Sequence, residues 1–187
     1  MSKRLRFVLI PLPAVLVLMY LAAIVAGCGS GSAGAASTGK TSQSLGSAPD
    51  FNVESLSGGR ISLKGEQGNG KPLVLNFGGS WCGSCKQEAP TLAAAGKKYK
   101  NSVDFLFLAV KDKPANAMAF VKNYGFTFPA GLDPNQDVFH DYQQAAGVRA
   151  SGTPTTFFIN KSGAIIKYYV GPLDPQQLDA EIGKILH

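Results

Sequence analysis

This 187-residue chain is poor in the side chains that hold metals, with three cysteines and two histidines. A structural zinc site takes four ligands, yet Cys82 and Cys85 have only His140 and His187 to join them, neither close in sequence. Neither a metal nor a cofactor is expected. No acid precedes Asp50, and no Lys/Arg-rich run follows the basic cluster Lys3, Arg4 and Arg6. The net charge of +6 therefore overstates the basic character of the folded part. Residues 1–27 hold three of the 18 basic residues and no acid, which leaves 15 against 12, a net of +3. No nucleic-acid footprint remains. Gly29 to Ser47 contains no aromatic residue, and no internal repeat occurs anywhere in the chain.

The N-terminus reads as an address. Lys3, Arg4 and Arg6 form a basic start, Phe7 to Val25 is uncharged and apolar, and Ala26-Gly27-Cys28 follows. That is a secretory signal layout. Val25-Ala26-Gly27-Cys28 resembles a bacterial lipobox, in which cleavage precedes the cysteine and its thiol takes a lipid; Leu is more usual where Val25 stands. The alternative is an uncleaved anchor helix, since the apolar stretch approaches spanning length, although Pro11 and Pro13 interrupt it. The reading adopted is a signal peptide over 1–27, a lipid on Cys28, and a Gly/Ser-rich tether over 28–47. A flexible chain of that composition reaches roughly 25 Å and buries no core. The domain would then be lipid-anchored to the membrane outside the cytoplasm.

Residues 48–187 read as one globular domain. Phe51–Ser55 and Arg60–Leu63, joined through Ser57-Gly58-Gly59, form a hairpin. Pro72–Gly78 and Val103–Val110 are near-continuous apolar runs, as expected of buried parallel strands. Cys85–Lys98 is a helix interrupted or kinked at Pro90. Ala115–Asn123 and Gln136–Ala146 are helices, with a short strand within Thr127–Leu132 between them. Thr155–Ile159 and Ala164–Val170 form a second hairpin, and Pro175–Leu186 is a closing helix. Alternating strands and helices predict an α/β fold, a mixed sheet flanked by helices on both faces.

Trp81-Cys82-Gly83-Ser84-Cys85 carries the chemistry. Two cysteines three apart can close a disulfide across the first turn of a helix. A thiol at a helix N-terminus meets unpaired N–H groups and the positive end of the dipole, which favours its thiolate. This is the arrangement of thiol–disulfide exchange. A structural disulfide or half of a zinc site are the alternatives. Glu88 lies three residues beyond Cys85 and so shares its helix face. It is either a proton carrier for Cys85 or an ordinary first-turn acid. His140 reads as a surface or boundary residue, and the strand phenylalanines as core.

Several stretches together resemble the TlpA/ResA group of membrane-tethered thiol–disulfide oxidoreductases, within the thioredoxin-like fold. They are Ala48-Pro49-Asp50-Phe51, Gly70–Phe77, Trp81–Cys85 with Glu88 and Pro90 beyond, and Gly152-Thr153-Pro154-Thr155 through Ile159 with Gly163. Residues 114–132 fall where that group carries a central helix–strand insertion, and an N-terminal β-hairpin precedes the core. The resemblance implies Cys82 as nucleophile and exposed sulfur, Cys85 as resolving thiol and Glu88 as an active-site acid. It further implies a cis Thr153–Pro154 bond opposite the cysteines, with Trp81, Thr153 and Pro154 contacting substrate. Asn76 stands where plain thioredoxin has a buried acid, so Glu88 takes over that task. Two departures flank the sulfur: Gly78-Gly79 replaces the usual Trp-Ala, and Ser84 replaces a proline, a change that frees a further backbone N–H for the sulfur.

The implied function is reduction of exported protein disulfides, including those of apocytochrome c, with electrons from a membrane partner of the CcdA/DsbD type. The protein is expected to act as a monomer. An oxidant on the same fold is one alternative. A copper- or haem-delivery chaperone is another, though its relatives space their cysteines by three residues and add a histidine. A peroxiredoxin would need a threonine three residues before its reactive cysteine, where this chain has Gly79 or Cys82.

Overall fold

The computed structural model describes residues 44–149 and 152–186. The signal peptide, Cys28 and the tether as far as residue 43 lie outside the described residues. The elements run β1 (Gly46–Ser47), β2 (Asn52–Glu54), β3 (Arg60–Ser62), α1 (Leu63–Glu66), β4 (Leu73–Gly78), α2 (Gly83–Tyr99) and β5 (Asp104–Val110). They continue with α3 (Pro114–Asn123), β6 (Ala130–Asp133), α4 (Asp137–Ala145), β7 (Thr155–Ile159), β8 (Ala164–Val170) and α5 (Pro175–Ile185).

The main sheet has the order β1-β8-β7-β4-β5-β6, and β2-β3 forms a separate hairpin. β4 pairs parallel with β5, and β5 with β6, while β7 runs antiparallel beside β4. The continuous apolar runs of β4, β5 and β7 follow from this central position, because each strand is covered on both faces. Alternation along a strand sends neighbouring side chains to opposite faces. Leu73, Leu75 and Phe77 thus join Leu106, Leu108, Phe157 and the hairpin residues Val53 and Ile61 in one cluster, which also takes Phe139 and Tyr142 from α4. Val74 and Phe105 face the other way, against Leu92 of α2 and Leu178, Ile182 and Ile185 of α5. Asn76 must share the face of Val74. The period of the strand therefore aims a buried amide at α2.

The structure modifies four expectations. β1 lies inside the stretch read as tether, so the sheet begins before residue 48; Leu45 and Ala48 donate backbone hydrogen bonds to Ile165 and Gly163 at 2.8 Å each. α1 is a single turn, capped by Ser62 Oγ accepting from the Gly65 N–H, and too short to show periodicity. β6 starts only after Pro129, which has no N–H to contribute to a ladder, although its carbonyl accepts from Phe107. α2 begins at Gly83 and runs through Pro90 without interruption. Pro90 lies on the exposed side, so the carbonyl it leaves unpaired faces water.

Candidate active site

Cys82 is the N-cap of α2, with extended backbone (φ −86°, ψ 118°), and its Sγ accepts from the Cys85 N–H at 3.1 Å. The two cysteines form a disulfide with Cα atoms 5.2 Å apart. A cap residue with a sulfur side chain points that sulfur at the orphan donors of the first turn. The same donors would stabilise a thiolate there. Ser84 adds its hydroxyl, 3.4 Å from Cys82 Sγ and 3.3 Å from the Thr153 carbonyl oxygen. The extra donor that replaces proline is thus the side-chain hydroxyl. Its one proton serves the sulfur or the carbonyl, never both at once.

Cys82 is 5 % exposed and Cys85 3 %. The expectation that Cys82 is the exposed sulfur does not hold in the disulfide form, because Ser84 and Thr153 lie against it. The asymmetry between the two cysteines comes from capping geometry and facing groups.

The Thr153–Pro154 bond is cis. It brings the Thr153 carbonyl oxygen to 3.4 Å from Cys82 Sγ, a contact that becomes a hydrogen bond when Cys82 is a thiol. Thr153 is half-buried and Pro154 buried just before β7. Trp81 is 55 % exposed, yet its indole N–H donates to the Val110 carbonyl at 3.0 Å. Of the three expected substrate-contact residues, Thr153 touches Cys82 Sγ, and Trp81 and Thr153 line one groove.

Glu88 is 1 % exposed. Its Oε2 accepts from Asn76 Nδ2 at 3.0 Å and its Oε1 from the Leu173 N–H at 3.0 Å. Asn76 also donates to Thr156 Oγ1 at 2.8 Å, its cross-strand neighbour on β7. Burial pushes the Glu88 carboxyl up to about 7, against the opposing pull of the Leu173 and Asn76 hydrogen bonds. This is not the environment of a solvated first-turn acid. The substitution of Asn76 for an acid and the presence of Glu88 form one unit, with donor and acceptor in direct contact.

Sequence reasoning missed the supports of this site. Asp112, at the end of β5, accepts from the Ser80 N–H (2.6 Å), the Ser80 hydroxyl (2.9 Å) and the Lys113 N–H (2.8 Å). It ties the loop before Trp81 to the loop before α3. Leu173 contributes a backbone N–H from 85 residues away, a contact without any local signal. His140, read as a surface residue, is exposed but lines a groove with Trp81 and Thr153.

The family model for Redoxin matches residues 43–185. The thiol–disulfide oxidoreductase ResA of Bacillus subtilis (strain 168) is 37% identical over 137 residues, covering 72% of this chain and 72% of the relative. This chain is a ResA-like thiol–disulfide oxidoreductase of the Redoxin family. The ResA of Geobacillus thermodenitrificans (strain NG80-2) is 33% identical over 150 residues, covering 79% of this chain and 82% of its own. Among solved structures, a DsbF homologue from Corynebacterium diphtheriae superposes with a TM-score of 0.65 at 27% identity, covering 74% of this chain and 85% of the other. The ResA-like assignment agrees with the thioredoxin-like sheet order, the cis proline and the cysteine pair at the start of α2. Among the described residues no helix is long and apolar enough to cross a membrane.

Proposed function

We propose that this oxidoreductase is a reductant of exported protein disulfides, held to the membrane outside the cytoplasm by a lipid on Cys28. The observation that carries the reading is the surroundings of Cys82 Sγ. A reduction potential follows from how well the protein stabilises its thiolate relative to its disulfide. Two donors, the Cys85 N–H and the Ser84 hydroxyl, favour the thiolate. The Thr153 carbonyl oxygen at 3.4 Å opposes negative charge on Cys82, and the buried Glu88 carboxyl, one helical turn after Cys85, opposes it on the second sulfur when ionised. This balance supports the disulfide as the favoured state, the condition for giving electrons away.

In the forward reaction the Cys82 thiolate attacks one sulfur of a substrate disulfide, forming a mixed disulfide and releasing the other sulfur as a thiolate that takes a proton. Cys85 then loses its proton and attacks Cys82 Sγ, closing the Cys82–Cys85 bond and freeing the second substrate thiol. Two electrons pass from protein to substrate, the Cys85 proton leaves to a base, and the released substrate thiolates take their protons from solvent. Glu88, with a carboxyl near neutrality, accepts the Cys85 proton in that second step. Trp81 and the Thr153 backbone hold the substrate strand, with Pro154 fixing the loop. Substrates of this class include apocytochrome c before haem attachment, and a membrane dithiol donor of the CcdA/DsbD type returns the electrons. The protein acts as a monomer.

The Cys82–Cys85 couple, equilibrated in a redox buffer series, is expected to lie near the thioredoxin potential of about −270 mV; a value near about −120 mV would make the protein an oxidant. Anchoring has its own check. Cells grown with a fatty-acid analogue are expected to label the wild-type protein and not Cys28→Ser. Equal labelling of both, or of neither, would overturn the lipid reading, and the second result would favour an uncleaved anchor helix.

A copper-carrying role has less support. A Cu(I) carrier on this fold would add a third soft ligand to the cysteine pair. Among the described residues no group of three His, Cys, Asp or Glu side chains lies close enough to hold a metal ion.

A further inference from the structure

We propose that Gly79 is a positioning residue for Trp81, and that the seated indole forms one wall of a groove taking the residue beside the substrate cysteine. This rests on the substrate-facing role given above to Trp81 and Thr153. A Cβ on Gly79 would lie 2.5 Å from Trp81 Nε1, 2.9 Å from Cε2 and 3.0 Å from Cδ1. All three atoms belong to the five-membered ring of the indole, which lies back over residue 79. Real Cβ atoms essentially never approach that closely, so any side chain at 79 must move the ring. Gly79 is absent from the residues with left-handed backbone. Its lack of a side chain serves space rather than chain conformation, in contrast to Gly58 and Gly59 in the β2–β3 turn.

The seat is also fixed from the far side. The indole N–H reaches the Val110 carbonyl at 3.0 Å, at the end of β5, and Asp112 holds Ser80 two residues further along that strand's exit. Ring displacement would break the Val110 bond. Trp81 nevertheless keeps 55 % of its surface exposed. An aromatic ring held by its polar atom with its face in water is built to receive something.

The exposed face lines a groove of about 260 Å³ with Phe139, His140, Gln143 and Thr153. Positions 139, 140 and 143 share one side of α4, and Gln136 is its N-cap. The start of that helix is fixed by Asp133, whose carboxylate accepts from the Val138 and Phe139 N–H groups. The volume falls below the roughly 300–1,000 Å³ of small-molecule pockets and suits one side chain of a polypeptide. The groove ends at Thr153, whose carbonyl oxygen is 3.4 Å from Cys82 Sγ. A substrate strand laid along Thr153 with its sulfur at Cys82 therefore puts an adjacent residue into the groove. The chemistry of the walls selects the occupant. Phe139 is buried against Phe77, so the exposed indole of Trp81 is the aromatic wall, and with the amides of Gln136 and Gln143 and the His140 imidazole it suits an aromatic ring with a polar tip; tyrosine meets both demands.

The test uses Gly79→Ala in the full-length protein, with two disulfide-bonded peptides that differ only in Tyr or Gly beside the cysteine. Trp81 is the single tryptophan of the chain, so its emission reports the seat directly. The expected result is a shifted emission in the oxidised protein. KM for the Tyr peptide should rise about three- to tenfold, the effect of losing one aromatic contact, while kcat changes less and KM for the Gly peptide stays put. In a Trp81→Ala background the same substitution should add nothing, since the cycle isolates the coupling between the two positions. Unchanged emission, equal effects on both peptides, or an undiminished effect without Trp81 would each overturn the proposal. KM is read in whichever direction turnover runs, so failure of the reductant reading leaves this test intact.

Discussion

Cys82→Ser is expected to bring thiol–disulfide exchange down to the uncatalysed background, while Cys85→Ser stalls the enzyme as a covalent adduct with its substrate. The two outcomes differ because the two sulfurs occupy different places on one helix. Cys82 is the cap, receives the Cys85 N–H at 3.1 Å and touches the loop where substrate docks. Cys85 lies one turn in and packs below Gly78, where an added Cβ would come within 3.3 Å of its Sγ. On the proposed mechanism, substrate sulfur reaches the first and not the second. Without Cys82 no mixed disulfide forms. Without Cys85 it forms and has no internal thiol to resolve it, so adducts accumulate that separate under non-reducing electrophoresis and vanish with added thiol. Unimpaired turnover by Cys82→Ser, or adducts formed by Cys82→Ser rather than Cys85→Ser, would reverse the assignment.

Glu88→Gln is expected to remove a large pH dependence of stability. The carboxyl has an ordinary value of 4.5 and is pushed to about 7 in the fold by burial. Below the unfolded value both states are protonated, and the folded protein keeps its full margin. As pH rises, the unfolded chain ionises freely while folded Glu88 is held neutral, so stability falls until the folded value is passed. The loss between the two values is about 3 kcal/mol at 1.36 kcal/mol per unit. It is measured by denaturant unfolding of the oxidised protein between pH 4 and pH 8, where the cysteines do not titrate. Asp133 and Glu66 are also raised by burial, so the wild-type curve contains their share. The difference between wild type and Glu88→Gln isolates that of Glu88. Glutamine carries a constant penalty of about 1–3 kcal/mol, because its NH2 must face either the Leu173 N–H or the Asn76 amide. Parallel curves for the two proteins would show that Glu88 does not titrate in this range. In the reduced protein the same variant should shift the cysteine titration downward; an unchanged titration would reduce Glu88 to a structural hydrogen-bond acceptor.

The polar contacts of the site come from elements far apart in the chain, which explains why they were harder to read than the cysteines. Asn76 reaches Thr156 across 80 residues and Glu88 reaches Leu173 across 85. The place of Asn76 follows from strand alternation, and that of Glu88 from one helical turn after Cys85. Their meeting requires α2 to pack on the α2-facing side of β4, a fact of layer packing. Asp112 illustrates the same point. It is a single acid in a loop until the fold sets Ser80 against it.

The sequence alone determined the chemistry and the architecture of this oxidoreductase. A cysteine pair after an apolar strand specifies a sulfur at a helix start, and the succession of apolar runs and amphipathic segments specifies a mixed sheet with helices on both faces. Local patterns can carry this much, because capping, alternation and helical period act within a few residues. Tertiary structure alone decided which groups face each sulfur, how far the Glu88 carboxyl departs from its usual range, and what the indole of Trp81 rests on. Desolvation depends on everything that surrounds a group, and close approach depends on what is missing at the opposing position. Gly79, marked in the sequence only as part of the Gly78-Gly79 departure, matters because of the ring that folds over it.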